Sequence, residues 1–197
     1  MGDSLYLSLW FSDAELVEIL PRALSVMRQF PFSEKEPGIT YLAIHPVSWG
    51  EATVLEQRFN PGVPPEHAIL LASDLLHEDY AYAFEAAWDL WVFDEKQKQW
   101  TSKPSLVKFL VYGENFEDGI SEQEGQVMVD FGFDSPFLQD DRSLKLEDED
   151  EEKLRVNLRK LVEFGVRAEK ASTPNRRLLW SESEDVDLAR KLIARLQ

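Results

Sequence analysis

Hydrophobic residues alternate from the start of the chain, with Leu5, Leu7, Leu9 and Phe11 on one side and Tyr6, Ser8 and Trp10 on the other. A period of two predicts a strand with one strongly apolar face. At Ser12 the period changes: Ser12-Asp13-Ala14-Glu15 has capping-box spacing, and Leu16, Leu20, Leu24 and Met27 then recur at helical intervals. Pro21 lies inside this pattern and lacks an amide donor, so the spacing predicts a kink or restart there and a helix end near Phe30 and Pro31. Residues 39–45 and 53–59 read as two strands of a hairpin with a long loop. Pro64 and Pro65 then open a second helix bearing Ala68, Leu71, Ala72 and Leu75, with His77 near its end, and residues 80–93 are extended.

The order strand, helix, strand, strand, helix, strand over residues 1–100 resembles the split βαβ pattern of a ferredoxin-like unit. Residues 101–197 continue with strands over 104–112 and 126–133, a long helix over 150–171, a short strand near Leu178 and a last helix. This β-β-α-β-α order repeats part of the first and admits a partial duplication with halves 1–100 and 101–197, although no residue-level repeat marks one. The expected fold is therefore α+β, one compact unit of 197 residues around a mixed or antiparallel sheet. In the long helix, the acidic run 147–152 precedes Lys160, Arg167 and Lys170, an order that complements the helix dipole, while Leu154, Leu158, Leu161 and Gly165 form the packing face. Ser181 and Glu184 offer a second capping box, and Val186, Ala189, Leu192, Ile193 and Leu196 form an apolar stripe expected to close the core.

Charge changes this picture. Of 37 acidic and 21 basic residues, 13 of each lie from Asp141 onward, so the first 140 residues hold 24 acids against 8 bases and the whole net charge of −16. Such a surface repels phosphate backbones and anionic membranes and attracts basic partners over roughly a Debye length, about 10 Å at moderate salt. Nucleic-acid and membrane roles are not expected, and no stretch is apolar enough to span a bilayer. The chain has no cysteine, which removes disulfides and thiolate chemistry, and its amino terminus shows no signal-peptide pattern, so a soluble cytoplasmic protein is expected.

Candidate chemistry is sparse. Glu114, Asn115, Glu117 and Asp118 before Gly119 make an oxygen-rich loop that reads either as an acidic turn or as ligands for a hard cation, without the periodic acids of an EF-hand. Asp130-Phe131-Gly132 matches the magnesium tripeptide of protein kinases, but the other kinase motifs are lacking. Val127, Val129, Phe131 and Phe133 are expected toward the core, with Met128, Asp130 and Asp134 on the other face. His45, His67 and His77 have no zinc-site spacing, and neither a nucleophile elbow nor a phosphate loop is present. Aromatic residues crowd residues 80–100, where Trp88, Leu90 and Val92 oppose Asp89, Trp91 and Phe93 before a hairpin tip ends at Trp100. Two apolar faces suit a central strand covered on both sides, or an exposed aromatic patch rimmed by acids.

The function expected is a non-catalytic, acidic protein-binding module for a partner with a basic surface, with Trp88, Trp91, Phe93 and Trp100 as contact candidates. The alternative is an enzyme or small-molecule binder with a carboxylate-lined pocket, using Glu114, Glu117, Asp118, Asp130 or Asp134 around a hard divalent cation. No motif implies an organic cofactor.

Overall fold

Seven strands form one antiparallel sheet in the order β3-β2-β4-β5-β6-β1-β7. They are β1 (Ser4–Trp10), β2 (Ile39–Pro46), β3 (Leu55–Val63), β4 (Tyr80–Asp94), β5 (Gln99–Tyr112), β6 (Val127–Phe133) and β7 (Arg176–Ser181). The helices among the described residues are α1 (Leu16–Met27), α2 (Pro65–Ser73), the single turn α3 (Ser121–Glu124) and α4 (Asp148–Ser172). This computed structural model describes residues 3–94, 96–138 and 148–182, together with Leu188, Leu192 and Leu196. Ser181 ends β7, and Glu184, its partner in the second capping box, lies outside the described residues; Leu188 and Leu192 are helical and buried, and Leu196 packs against the core.

The elements follow the hydrophobic periods, yet the sheet is not ferredoxin-like. Both edges of β4 are taken, by β2 on one side and by β5 along the whole length of a long hairpin. No edge near β2 remains for β1, which pairs instead with β6 and β7. The crossover through α1 therefore spans three intervening strands. Because β1 of the first half sits between β6 and β7 of the second, residues 1–100 and 101–197 share one sheet.

One face of the sheet carries α1, α2 and α4 over a core that includes Leu7, Leu20, Phe84, Trp88, Phe109, Phe131 and Phe164. The other face bears a smaller cluster of Ala81, Tyr112, Phe116 and Met128, flanked by Tyr6, Leu110 and Trp180. Met128 is buried there rather than solvated, because Trp180 and Phe116 cover this part of the sheet. Phe133, expected in the core, is 63% exposed. The alternation stops at Gly132, whose φ of 72° turns the strand out before Asp134 N–H meets the carbonyl of Asp3.

Helix α1 starts one turn later than its sequence signal. Ser12 N–H is taken by Asn175 Oδ1 and Phe11 N–H by Gln126 Oε1, which hold this stretch outside the helix. The reciprocal cap forms at Glu15, whose N–H donates to the carboxylate of Glu18. Pro21 is accommodated on the exposed side of one uninterrupted helix rather than restarting it.

Candidate functional site

The antiparallel order brings five connections to one end of the sheet: β1–α1 (residues 11–15), β2–β3 (47–54), α2–β4 (74–79), β5–β6 (113–126) and α4–β7 (173–175). They contain eleven carboxylates and no lysine or arginine: Asp13, Glu15, Glu51, Asp74, Glu78, Asp79, Glu114, Glu117, Asp118, Glu122 and Glu124. Of the eight cations of the first 140 residues, Arg28 and Lys35 lie in the α1–β2 connection and Lys96 and Lys98 at the tip of the β4–β5 hairpin, both at the opposite end, whereas Arg22 of α1 reaches the acidic end and donates to the Ser172 carbonyl and the Thr173 hydroxyl. Among the described residues, Asp79 is alone of the eleven in forming an ion pair, with His77. Arg22 and Arg176 lie beside the Phe11 and Trp10 rings here, but the eleven carboxylates outnumber them and the field at this end is negative.

A cleft of about 450 Å³ opens beside three of these connections, β1–α1, α2–β4 and β5–β6. Trp10, Phe11 and Tyr112 supply aromatic walls, and Glu78, Glu114 and Glu122 supply carboxylates. Local geometry explains their meeting. Asn115 N–H donates to the Glu78 carbonyl and Gly113 N–H to that of Tyr80, both at 2.8 Å, which ties the end of β5 to the start of β4. A Cβ at Gly113 would collide with the Glu78 carbonyl, so glycine is required for this approach. Trp10 Nε1 donates to the Glu122 carbonyl at 3.0 Å, fixing α3 against the end of β1. Tyr112 donates its hydroxyl to Glu124 at 3.1 Å; burial, with the nearby carboxylate, raises its pKa far above the ordinary phenol range.

The carboxylates proposed as a cation site are not brought together. Glu114 lines the cleft, whereas the Glu117 carboxylate accepts the Trp49 N–H at 2.9 Å and is turned to the β2–β3 loop. Asp118 has a left-handed backbone within the acidic turn, and Asp130 accepts the Gly132 N–H at 2.8 Å on the helix-free face of the sheet. Asp134 follows the far end of β6. Among the described residues no group of three carboxylates or histidines has the placement of a metal site. Calcium or magnesium at millimolar concentration is accordingly expected to leave the melting temperature unchanged; a rise with either ion would reveal a site formed in another way.

The aromatic candidates divide between core and surface. Trp88 is fully buried and stacks on Phe131 at 5.4 Å, so it cannot contact a partner in the folded state. Trp91, Phe93 and Trp100 are half-buried on the opposite face. The beginning of α4 reaches them: Lys153 Nζ lies 3.8 Å from the Trp91 ring, and Trp100 Nε1 donates to Asp150. Phe93 meets Trp100 edge-on at 5.6 Å. Trp10, Phe11, Glu78, Tyr112 and Glu122 were not singled out by the sequence. The signal that finds them is the absence of cations from every connection at one end, visible once strand directions are known.

Trp49 packs beside this region, 4.7 Å from the His45 ring and 5.1 Å from Phe116. Burial pushes the His45 pKa below its ordinary value, so this neighbour adds no cation near neutral pH. Comparison with protein-family models, with curated proteins and with solved structures finds no match. No helix among the described residues is long and apolar enough to cross a membrane.

Proposed function

We propose that this is a non-catalytic binding protein whose acidic sheet end engages a basic surface of another protein. One observation carries the reading: eleven carboxylates and no lysine or arginine occupy the five connections at one end of the sheet, three of which line an aromatic-walled cleft. Concentrating like charge costs folding stability through self-repulsion, and a cationic partner relieves that cost while being steered toward the surface. The cysteine-free sequence is compatible with action in the cytoplasm. A second occupant, a small organic cation, is favoured only by the volume of about 450 Å³, which lies within the range of small-ligand sites.

The test compares the wild-type chain with a Glu78→Gln, Glu114→Gln, Glu122→Gln variant as baits for native-cell lysate at low salt, eluted along a salt gradient. All three side chains are exposed and unpaired with cations among the described residues, so the variant is expected to fold. The expected result is a stoichiometric basic protein retained by the wild type, released by salt, and bound at least about tenfold more weakly by the variant, which is about 1.4 kcal/mol. Equal retention by both baits, or retention by neither, overturns the proposal.

A further inference from the structure

We propose that the β2–β3 loop, residues 47–54, is the docking surface for the basic partner, which seats there an apolar side chain flanked by lysine or arginine. The assignment rests on the function proposed above. Val47, Trp49 and Val54 are 54%, 38% and 45% exposed, so one short connection leaves three large apolar side chains in water. Single residues of this kind are ordinary on a surface, whereas several on one loop are the composition of a contact site. The loop is also held in place. Val47 N–H donates to the Asp79 carbonyl at 2.7 Å, and the Val47 carbonyl accepts the Glu117 N–H at 2.8 Å. Trp49 meets Phe116 and Tyr112 edge-on at 5.1 and 6.1 Å, which braces the indole while more than a third of the residue stays open to solvent. An apolar anchor fixed in advance loses little conformational freedom when a partner covers it.

Val47 supplies an independent observation. Its φ of 61° lies in the left-handed region, where a β-branched side chain crowds its own backbone. Packing within the chain does not offset that cost, because the side chain is more than half exposed. Asparagine would adopt this backbone more readily and leave fewer apolar atoms in water. The fold therefore gains nothing from valine here, and a partner that covers the side chain does. Charge selects the occupant. Glu51 lies within the loop, and Asp79, Glu117 and Asp118 belong to the segments that clasp it. The first cation after the loop, Arg58, is drawn over the Tyr41 ring at 5.0 Å. An apolar surface with an acidic rim matches an apolar residue between cations, and it disfavours an anionic lipid surface or a second copy of a chain whose net charge is −16.

The experiment titrates the full chain with acetyl-Lys-Lys-Leu-Lys-Lys-amide and follows the Trp49 indole and Val47 methyl resonances by NMR. A peptide with serine in place of leucine keeps the charge and removes the apolar side chain. A peptide with glutamate in place of every lysine keeps the leucine and reverses the charge. The leucine peptide is expected to shift both resonances saturably with a dissociation constant of about 1 mM, and the other two to bind at least about fivefold more weakly. Val47→Asn should weaken the leucine peptide about threefold or more and leave the melting temperature unchanged or higher, since asparagine accepts the left-handed backbone. Absence of saturable shifts up to about 10 mM, ten times the expected constant, overturns the assignment. So does equal binding of the serine or glutamate peptide, or unchanged binding by Val47→Asn. A lower melting temperature for Val47→Asn also overturns it, because valine would then serve the fold. Self-association of the wild type that Val47→Asn abolishes would give the surface to a second copy and exclude the basic partner from it. If the leucine peptide fails while wild type still captures a basic protein that the triple variant loses, the acidic binding function stands and the docking assignment falls. Failure of both removes both.

Discussion

Trp88→Ala is expected to cost about 3–5 kcal/mol, a large part of the 5–15 kcal/mol that holds an ordinary domain together. Trp88 has no exposed surface and sits between three rings: Phe30 after α1 at 5.4 Å, Phe131 in β6 at 5.4 Å and Phe137 after β6 at 5.8 Å. Deleting the indole leaves a cavity that rigid aromatic neighbours cannot fill by a change of rotamer. One term opposes the loss. The indole N–H is buried without a partner among the described residues, so truncation also removes an unsatisfied donor worth about 1–3 kcal/mol. Trp88→Phe separates the two effects, because it keeps much of the packing and deletes the donor, and a change within about 1 kcal/mol is expected. Trp91→Ala provides the contrast at a half-buried position. Urea unfolding followed by circular dichroism decides the matter: equal midpoints for Trp88→Ala and Trp91→Ala would refute the placement of Trp88 at the centre of the core.

Local patterns were legible where one residue's neighbours in sequence are also its neighbours in the element. The alternation of Leu5, Leu7 and Leu9, the helical spacing behind Pro65, and the acid-to-base order of α4 all describe structure within a single segment. The pairing of strands is different, because it depends on which edges remain free. A hairpin tip before Trp100 is legible within residues 1–100, but not that β4 and β5 pair all the way from Ala81–Tyr112 to Asp94–Gln99, nor that β1 lies on the far side of the sheet. The shift of the helical cap from Ser12 to Glu15 has the same origin. Asn175, far away in sequence, takes the Ser12 amide before the helix can use that residue.

The candidate site was legible as charge and illegible as place. An acidic first 140 residues are evident in the sequence, but their concentration at one end follows from strand direction. Glu78 and Glu114 are 36 positions apart and meet only because Gly113 allows β5 to close on the carbonyl of Glu78. The aromatic run misled for a related reason. Residues 80–100 are rich in rings because β4 is long and covered on both faces, with Trp88 turned to the helices and Trp91 held under Lys153. Aromatic density alone does not distinguish a contact surface from a strand with two buried sides.

Asn157 explains how β4 extends beyond β2 without presenting a free edge. Pairing with β2 stops at Ala86, after which the Ala87 carbonyl accepts Ser33 N–H and the Asp89 carbonyl accepts Lys160 Nζ, both at 2.7 Å. At Trp91 the fully buried Asn157 amide acts as a substitute strand. Its Oδ1 accepts the Trp91 N–H at 2.9 Å, and its Nδ2 donates to the carbonyls of Trp91 at 2.7 Å and Pro136 at 2.8 Å. Asn157→Ala orphans these groups together, and at about 1–3 kcal/mol for each unsatisfied buried polar group the expected loss is about 3–5 kcal/mol after partial entry of water. Asn157→Asp tests the geometry more sharply. It retains one acceptor but replaces the double donor with oxygen facing two carbonyls, so burial and repulsion should raise the carboxyl pKa in the folded state. A group with a raised folded pKa contributes stability that is present below its unfolded value, about 3.9 for aspartate, and lost as the pH rises through the folded value. The Asp variant should therefore recover toward wild type as the pH falls from 7 to about 4, whereas the Ala variant keeps its deficit. Parallel urea midpoints for Asn157→Asp and wild type across that interval would show that the Asn157 amide does not face the carbonyls of Trp91 and Pro136.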